Sequence, residues 1–365
     1  MYGFTPTDEQ KMLVDAIARY SKGDLRPAAR DAEEEKTLPP ALVRKGWELG
    51  FLQASIPEAY GGFGERSAVT GVLAAEELAY GDLAGSLAVM LPGSYVIPIL
   101  LGGNEEQKKE FIPKVIEGEW AAYTAALIEP SFDFDPNDLK TTAREAGGNY
   151  VLDGLKTYVP FAAESESMIV YAGLGGITQA FVVPKDAPGL QVAGERLKLM
   201  GLNALPLYDI KLDEVSIPKS HRLGGDAGHD FAPLLASQRI ANAAMAVGVA
   251  RAAFEFARDY AKEREAFGVK IAQKQAIAFM LAEMATEIEA SRLLTWEAAW
   301  KLDTGKEDYA VASYLASTGA ADMAMMVTDR AVQILGGYGY IREFPVEMWM
   351  RNGRSFAMLT GLAIV

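Results

Sequence analysis

The chain has no cysteine at all. That removes disulfide frameworks, thiolate nucleophiles and cysteine-ligated zinc or iron–sulfur centres together. Only two histidines occur, His221 and His229, both inside the glycine-rich "HRLGGDAGHD". A surface or capping role is expected for each, and a histidine-based mechanism or metal site is not. Positive charge is also scarce: 35 Lys and Arg against 49 Asp and Glu give a formal net charge of −14 and a pI near 4.8. Such a surface repels nucleic acid and anionic lipid, although a local basic site could still hold an anion. No unbroken apolar run reaches the ~18 residues of a membrane-spanning segment. The opening "MYGFTPTDEQ" lacks the basic and apolar regions of a secretory leader, so a cytoplasmic location is the expectation.

What is present is 365 residues, half of them apolar, enough for about two to three domains with a large core. The first 120 residues read as helices. Thr7 with Gln10 three positions on forms a capping box, and Leu13, Ile17 and Tyr20 follow on one face. "LPPALVRKGWELG" starts on prolines and stops at Gly50, and "PEAYGGFGE" reads as a loop. Over 121–228 the period changes to two: Tyr208, Ile210 and Leu212 alternate with Asp209, Lys211 and Asp213, and Gly147–Gly148 suits a hairpin turn. Over 229–365 the pieces are long and helical, with Ile277, Leu281, Met284 and Ile288 on one stripe. Helices, then sheet, then long helices is an α+β order, and no Gly-x-Gly-x-x-Gly follows a strand, which speaks against a βαβ dinucleotide fold.

Two stretches could carry chemistry. In "YAKEREAFG", Arg264 ends a long helix beside Phe267 and Gly268, where a guanidinium could pair with phosphate and a ring could stack. An arginine at a helix end is more often a solvated partner of the helix dipole. In "AVQILGGYGYIREFPVEMWMRN", Gln333 stands one turn before Gly336 and Gly337, placing an amide beside bare backbone. The same glycines also read as a plain helix stop.

Together the two stretches resemble the acyl-CoA dehydrogenase family. Its signatures stand here as Tyr260, Arg264, Phe267 and Gly268, then Gln333, Gly336, Gly337, Gly339 and Tyr340, then Pro345, Glu347, Arg351 and Asn352. The likeness extends over nearly the whole chain, "PEAYGGFG" and "GNEEQKKEFIPKVIEGEW" included. It implies an N-terminal helical domain (1–120), a central β domain (121–228) and a C-terminal four-helix bundle (229–365) that tetramerises. It also implies FAD as cofactor, an acyl-CoA thioester dehydrogenated between Cα and Cβ, a glutamate base, and an electron-transferring flavoprotein as acceptor.

Three departures bear on that expectation. The family's flavin-facing Thr-Glu-Pro-Gly-Ala-Gly-Ser-Asp corresponds to Ile128-Glu129-Pro130-Ser131-Phe132-Asp133-Phe134-Asp135. Its Trp-Ile-Thr-Asn-Gly corresponds to Tyr158-Val159-Pro160-Phe161-Ala162, where Pro160 has no N–H and Val159 no hydroxyl. Phe132, Phe134, Tyr158 and Phe161 are expected to converge and fill the flavin slot of this subunit. Finally, the family's Glu-Gly-Thr reads Thr360-Gly361-Leu362, and the other family position for the base, just before Arg239, holds Gln238. Neither is an acid, and the catalytic residue is therefore unknown. The sequence as given ends five residues beyond Thr360, where the family usually adds a helix, so an incomplete pocket is expected around Arg239 and Thr360.

In family tetramers the bundle's Arg, Phe, Gln and Gly-Gly reach a neighbour's FAD, while the β domain and the Glu-Gly-Thr segment serve the subunit's own. The resemblance thus implies a chain that keeps the donated half, Arg264, Phe267, Gln333, Gly336 and Gly337, and has lost the other. The expectation is a base-less subunit of an α2β2 heteromer, paired with a homologous chain that carries the glutamate. Heteromers of this kind tend to take bulky or cyclic acyl groups. Two rivals stand beside it: a self-sufficient homotetramer using Asp133, Asp135 or Asp138 as base, and a non-enzymatic CoA-ester binder or scaffold.

Overall fold

The computed structural model describes residues 5–365. The opening "MYGF", part of the stretch read for a leader, lies outside them. Helix α1, Asp8–Tyr20, starts with the expected capping box: the Thr7 hydroxyl accepts from Gln10 N–H and the Gln10 amide returns to Thr7 N–H at 2.9 Å. A single π-helical turn, Ser21–Leu25, joins it to α2, Arg26–Glu35, and α3 is Pro40–Trp47. Helices α4 (Ala68–Gly81), α5 (Leu83–Met90), α6 (Gly93–Gly102) and α7 (Glu105–Ile116) complete the N-terminal layer. Asn104 and Gln107 cap α7 in the same reciprocal way as Thr7 and Gln10.

Seven strands follow in one mixed sheet: β1 Tyr123–Ala126, β2 Thr142–Ala146, β3 Asn149–Pro160, β4 Ser167–Leu174, β5 Ile177–Pro184, β6 Leu190–Val192 and β7 Leu207–Pro218. Their order is β1-β4-β2-β3-β7-β6, with β5 hairpinned onto β4. The Gly147–Gly148 turn between β2 and β3 has both φ values positive, +58° and +85°, which glycine adopts at no steric cost. Along β7, Ile210 and Leu212 point inward and Lys211 and Asp213 outward until Glu214, with φ +52°, breaks the alternation.

The bundle comprises α8 (Ala232–Glu263), α9 (Gln275–Asp303), α10 (Tyr309–Leu335) and α11 (Val346–Ser355). α8 is apolar and long enough, at 32 residues, to cross a membrane by composition. It is instead the central stave, with buried residues spread from Leu234 to Ala261 and packed against α4, α9 and α10. On α9, Met284 and Ile288 are buried and Ile277 and Leu281 pack on the core, as the stripe predicts. Arg351 of α11 bridges Glu347 (2.9 Å) and Glu33 of α2, and Asn352 Oδ1 accepts from Leu202 N–H (3.1 Å), so this signature pair ties bundle, N-terminal layer and β domain together.

One reading is corrected. His229 is not a surface group: both ring nitrogens are buried and the ring lies against Gly102. Burial pushes it down to about 4. The run of glycines around it folds inward: Gly224, Gly225 and Gly228 all take positive φ, and Gly224 N–H donates to Gln107 of α7 at 3.0 Å. His221 is half-buried, its Nδ1 2.9 Å from the carbonyl of Val182.

Candidate functional site: an exposed bundle end and two adjoining clefts

At one end of the bundle α8 and α10 stop side by side. Arg264 leaves α8 in extended conformation, and a two-strand hairpin, β8 Glu265–Ala266 with β9 Val269–Lys270, turns at Phe267 and Gly268. Phe267 holds φ +55°, a region that disfavours side chains, and presents its ring to solvent at 96% exposure. The Arg264 guanidinium sits 5.3 Å from the ring of Tyr338, so the termini of the two helices meet. No carboxylate lies within 4 Å of Arg264 among the described residues.

Gln333 is exposed one turn before the end of α10. Gly336 adopts φ +60°, ψ −129°, conformational space that belongs to glycine, and a Cβ on Gly336 or Gly337 would meet nothing within 4 Å. Gly339 is different: its Cβ would collide with the Val332 carbonyl at 2.5 Å, so that glycine serves packing. Arg264, Phe267, Gln333, Gly336 and Gly337 are thus all exposed: a cation without a carboxylate, a ring with the Lys274 ammonium 5.7 Å from its centroid, and open backbone. That donor set suits a phosphate-bearing aromatic cofactor.

Two clefts lie on the other side of the molecule. The first, about 410 Å³, runs between the 128–134 loop, Thr157–Tyr158 of β3 and Ala357–Met358. Its floor is a buried ion pair: Lys156 Nζ stands 2.9 Å from Glu129 Oε1 and 3.0 Å from the Leu127 carbonyl. The other Glu129 bonds come from Lys140 N–H (2.7 Å) and Thr141 N–H (2.8 Å). Burial pulls the Lys156 ammonium down, with Glu129 opposing. Burial also pushes Glu129 up, but the Lys156 charge and the Thr141 bonds outweigh it and leave the carboxyl below its usual range. The pair pins the loop to β3, and both charged groups have further hydrogen-bond partners in the backbone.

The expected convergence of four aromatics occurs only in part. Phe132, Phe134 and Tyr158 line the cleft, Phe132 at its solvent-exposed rim, where Ser131 bonds Asp133 in a tight turn. Phe161, at φ +51°, packs edge-on against Trp120 at 5.4 Å. The slot is therefore narrowed, not filled. Its donors are nonetheless poor: Pro160 has no N–H, the Phe161 N–H is spent on the Pro206 carbonyl (2.8 Å) and the Thr157 N–H on that of Ile128 (2.9 Å). By this test the loops fit a flavin ring badly, whereas the bundle end fits the phosphate side of the cofactor well.

The second cleft, about 330 Å³, adjoins the first and shares Phe134, Ala357 and Met358 with it. It brings Arg239 and Thr360 together, with Tyr314, Ser317, Thr318 and Asp322 of α10. Gln238 does not join them: it is buried and its amide reaches the Tyr171 hydroxyl at 3.3 Å. Asp133 and Asp135 are engaged by Ser131 and by Asn137, the latter at 2.8 and 3.1 Å.

Beyond Thr360, Gly361 takes φ +101° over Leu127, and Leu362 to Val365 are buried between the N-terminal layer and the bundle. The Val365 carbonyl accepts from Arg66 (3.2 and 2.5 Å) and from Ser237. Sequence reading missed this latch and the Glu129–Lys156 strut. A lysine in an alternating strand reads as outward-facing, and nothing local marks Arg66. The only signal was that Glu129 lies within the Ile128–Asp135 stretch already singled out.

Comparison with known proteins matches this architecture. Family models for the acyl-CoA dehydrogenase N-terminal, middle and C-terminal domains match residues 7–119, 124–215 and 231–363. Benzylmalonyl-CoA dehydrogenase of Aromatoleum aromaticum is 36% identical, over 98% of this chain and 95% of its own. A subunit of the caffeyl-CoA reductase-Etf complex of Acetobacterium woodii is 34% identical, over 98% and 96%. Among solved structures, butyryl-CoA dehydrogenase from Megasphaera elsdenii superposes with TM-score 0.87 at 30% identity, covering 99% of both chains. A glutaryl-CoA dehydrogenase from Mycobacterium smegmatis in complex with FADH2 does so at 0.85 and 26%, covering 97% and 91%. The chain belongs to the acyl-CoA dehydrogenase family of oxidoreductases.

Proposed function

We propose that the chain is the base-less subunit of a heteromeric, FAD-dependent acyl-CoA dehydrogenase, lending its bundle end to the cofactor of a homologous partner. The observation that carries this is an asymmetry. The set Arg264, Phe267, Gln333, Gly336 and Gly337 is complete and exposed, whereas Thr360 and Gln238 stand where the family places its carboxylate. A neutral hydroxyl or amide cannot take an α proton at neutral pH, and a positioned base is worth roughly 10²–10⁴-fold. Bound FAD would supply the hydride-accepting chemistry. This chain's part is to hold and orient it: Arg264 toward the pyrophosphate, Phe267 beside it, Gln333 and the open backbone of Gly336 and Gly337 toward the adenosine side.

Assembly is supported by apolar side chains left in solvent on α9 and α10, Phe279, Leu293, Leu294, Val311 and Leu315. The partner supplies the glutamate and the thioester site, and electrons leave to an electron-transferring flavoprotein, as the Etf-complex relative suggests. The reading is tested by co-expression with a glutamate-bearing homologue. Dehydrogenation should vanish when the partner's glutamate becomes glutamine. Undiminished turnover would reject the idea.

One observation favours a second reading. The cleft beside the 128–134 loop is open, so a homo-oligomer could seat a cofactor of its own there. That arrangement predicts flavin and activity in the chain purified alone, with one of the loop acids, Asp133, Asp135 or Asp138, required.

A further inference from the structure

We propose that the cleft between Arg239 and Thr360 is a carboxylate subsite, which takes a singly charged organic acid with a small apolar body. From the proposed function it uses only the absence of an acid at 360, and it stands whether or not a partner chain exists.

Arg239 is half-buried on the inner face of α8. Its guanidinium lies 5.1 Å from the ring centroid of Tyr314, a stack that fixes the plane of the fork without neutralising it. Such a contact offsets only a small part of the cost of taking an unpaired ion out of water. The acids around it do not close the gap. No carboxylate stands within 4 Å among the described residues; Asp135 on the loop is felt only at longer range, and burial acts on Arg239 more strongly than either neighbour. Asp322 lines the same cleft, but it is exposed and roughly 12 Å further along α10 than Tyr314, eight residues at 1.5 Å each.

The rest of the lining matches one carboxylate. Hydroxyls of Ser317, Thr318 and Thr360 can donate to it; the Ser317 oxygen already accepts from the Asn242 amide at 3.4 Å, which leaves its proton free. Phe134, Phe356 and Met358 form an apolar wall. Among the described residues Arg239 is the one cation in the lining, beside the exposed Asp322, so a phosphate dianion would be left largely unneutralised, whereas a single carboxylate can pair with the guanidinium. The space, about 330 Å³, fits a small acid or the carboxylated end of an acyl group, not a whole coenzyme.

The two sources are separated by calorimetry on the purified chain. One arm titrates phenylacetate, with 2-phenylethanol as the uncharged comparator. The other titrates glutaryl-CoA against butyryl-CoA. Saturable binding of the charged member of either pair, with the neutral one at least about tenfold weaker, supports the subsite and names the source. Arg239→Met should abolish that preference. Thr360→Glu, which sets a carboxylate beside Arg239 without disturbing the helix, should also abolish it while melting like the wild type, so a misfolded arginine variant does not decide the matter. Equal binding of charged and neutral members, no binding in either arm, or a preference that survives Thr360→Glu would overturn the proposal. Because none of these readouts needs flavin or turnover, the subsite and the proposed function can fail independently.

Discussion

Lys156 Nζ and Glu129 Oε1 meet at 2.9 Å with both side chains shut away from solvent, and together they fasten the 127–131 loop to the sheet. Lys156→Met removes one charge and leaves the other buried beside two N–H donors. The expected cost is about 3–5 kcal/mol. Lys156→Met combined with Glu129→Gln should recover more than half of that, because no charge is then stranded. Urea midpoints of the two variants and the wild type decide it. A single variant as stable as the wild type would show that the pair holds nothing.

His229 gives the protein a sensitivity to acid. Its folded pKa, about 4, lies below the ordinary 6.5, so between those values the unfolded chain binds a proton that the native chain refuses. Stability should therefore fall as pH drops from about 6.5 toward 4, by up to roughly 3 kcal/mol. Asp82, which caps α5 through Gly85 N–H at 2.7 Å, works in the opposite sense. Burial raises it to about 6, so its native proton adds stability at low pH that is lost as pH rises through 6. Comparing His229→Gln with the wild type across this range isolates the histidine, and the gap between their melting curves should close in the acid.

Gly71 is the floor under the last residue: a Cβ there would come within 2.6 Å of Val365 Cβ. Alanine in a helix interior is ordinarily favoured over glycine by roughly 0.5–1 kcal/mol. Here Gly71→Ala should instead destabilise, by roughly 1–3 kcal/mol, because the tail must move. In a chain lacking residues 364–365 the same substitution should turn neutral or stabilising. Thermal denaturation of the four proteins tests this double difference.

Thr360→Glu alone should produce little dehydrogenation, less than about tenfold above background, against the roughly 10²–10⁴ a positioned base supplies. The donors of the neighbouring loop stay missing, since Pro160 has no N–H and that of Phe161 is held by Pro206. Anaerobic stopped-flow bleaching of flavin by an acyl-CoA reports the outcome.

Much of this was legible in one dimension. The Thr7 capping box, the β2–β3 glycine turn and the α9 stripe are local patterns, and local patterns fix local structure. The exposed bundle end was legible as well, because Arg264, Gln333 and the paired glycines keep fixed spacing to helix ends. What failed depends on contacts between distant segments. Phe132 and Phe161 were expected to fill the cleft, yet Phe132 stays at its exposed rim and Phe161 packs on the Trp120 ring instead. His229 sits among glycines that look like a surface loop, but those glycines fold it inward. The Arg66, Ser237 and Val365 latch joins three segments that no periodicity connects.

The most direct measurement of the central claim is flavin content. The chain purified alone should carry none. Purified with a glutamate-bearing partner it should show about one FAD for every two chains, lost on Arg264→Ala in this chain alone. A full complement of bound FAD on the isolated chain, indifferent to the loop 158–162 and turning over an acyl-CoA unaided, would contradict it.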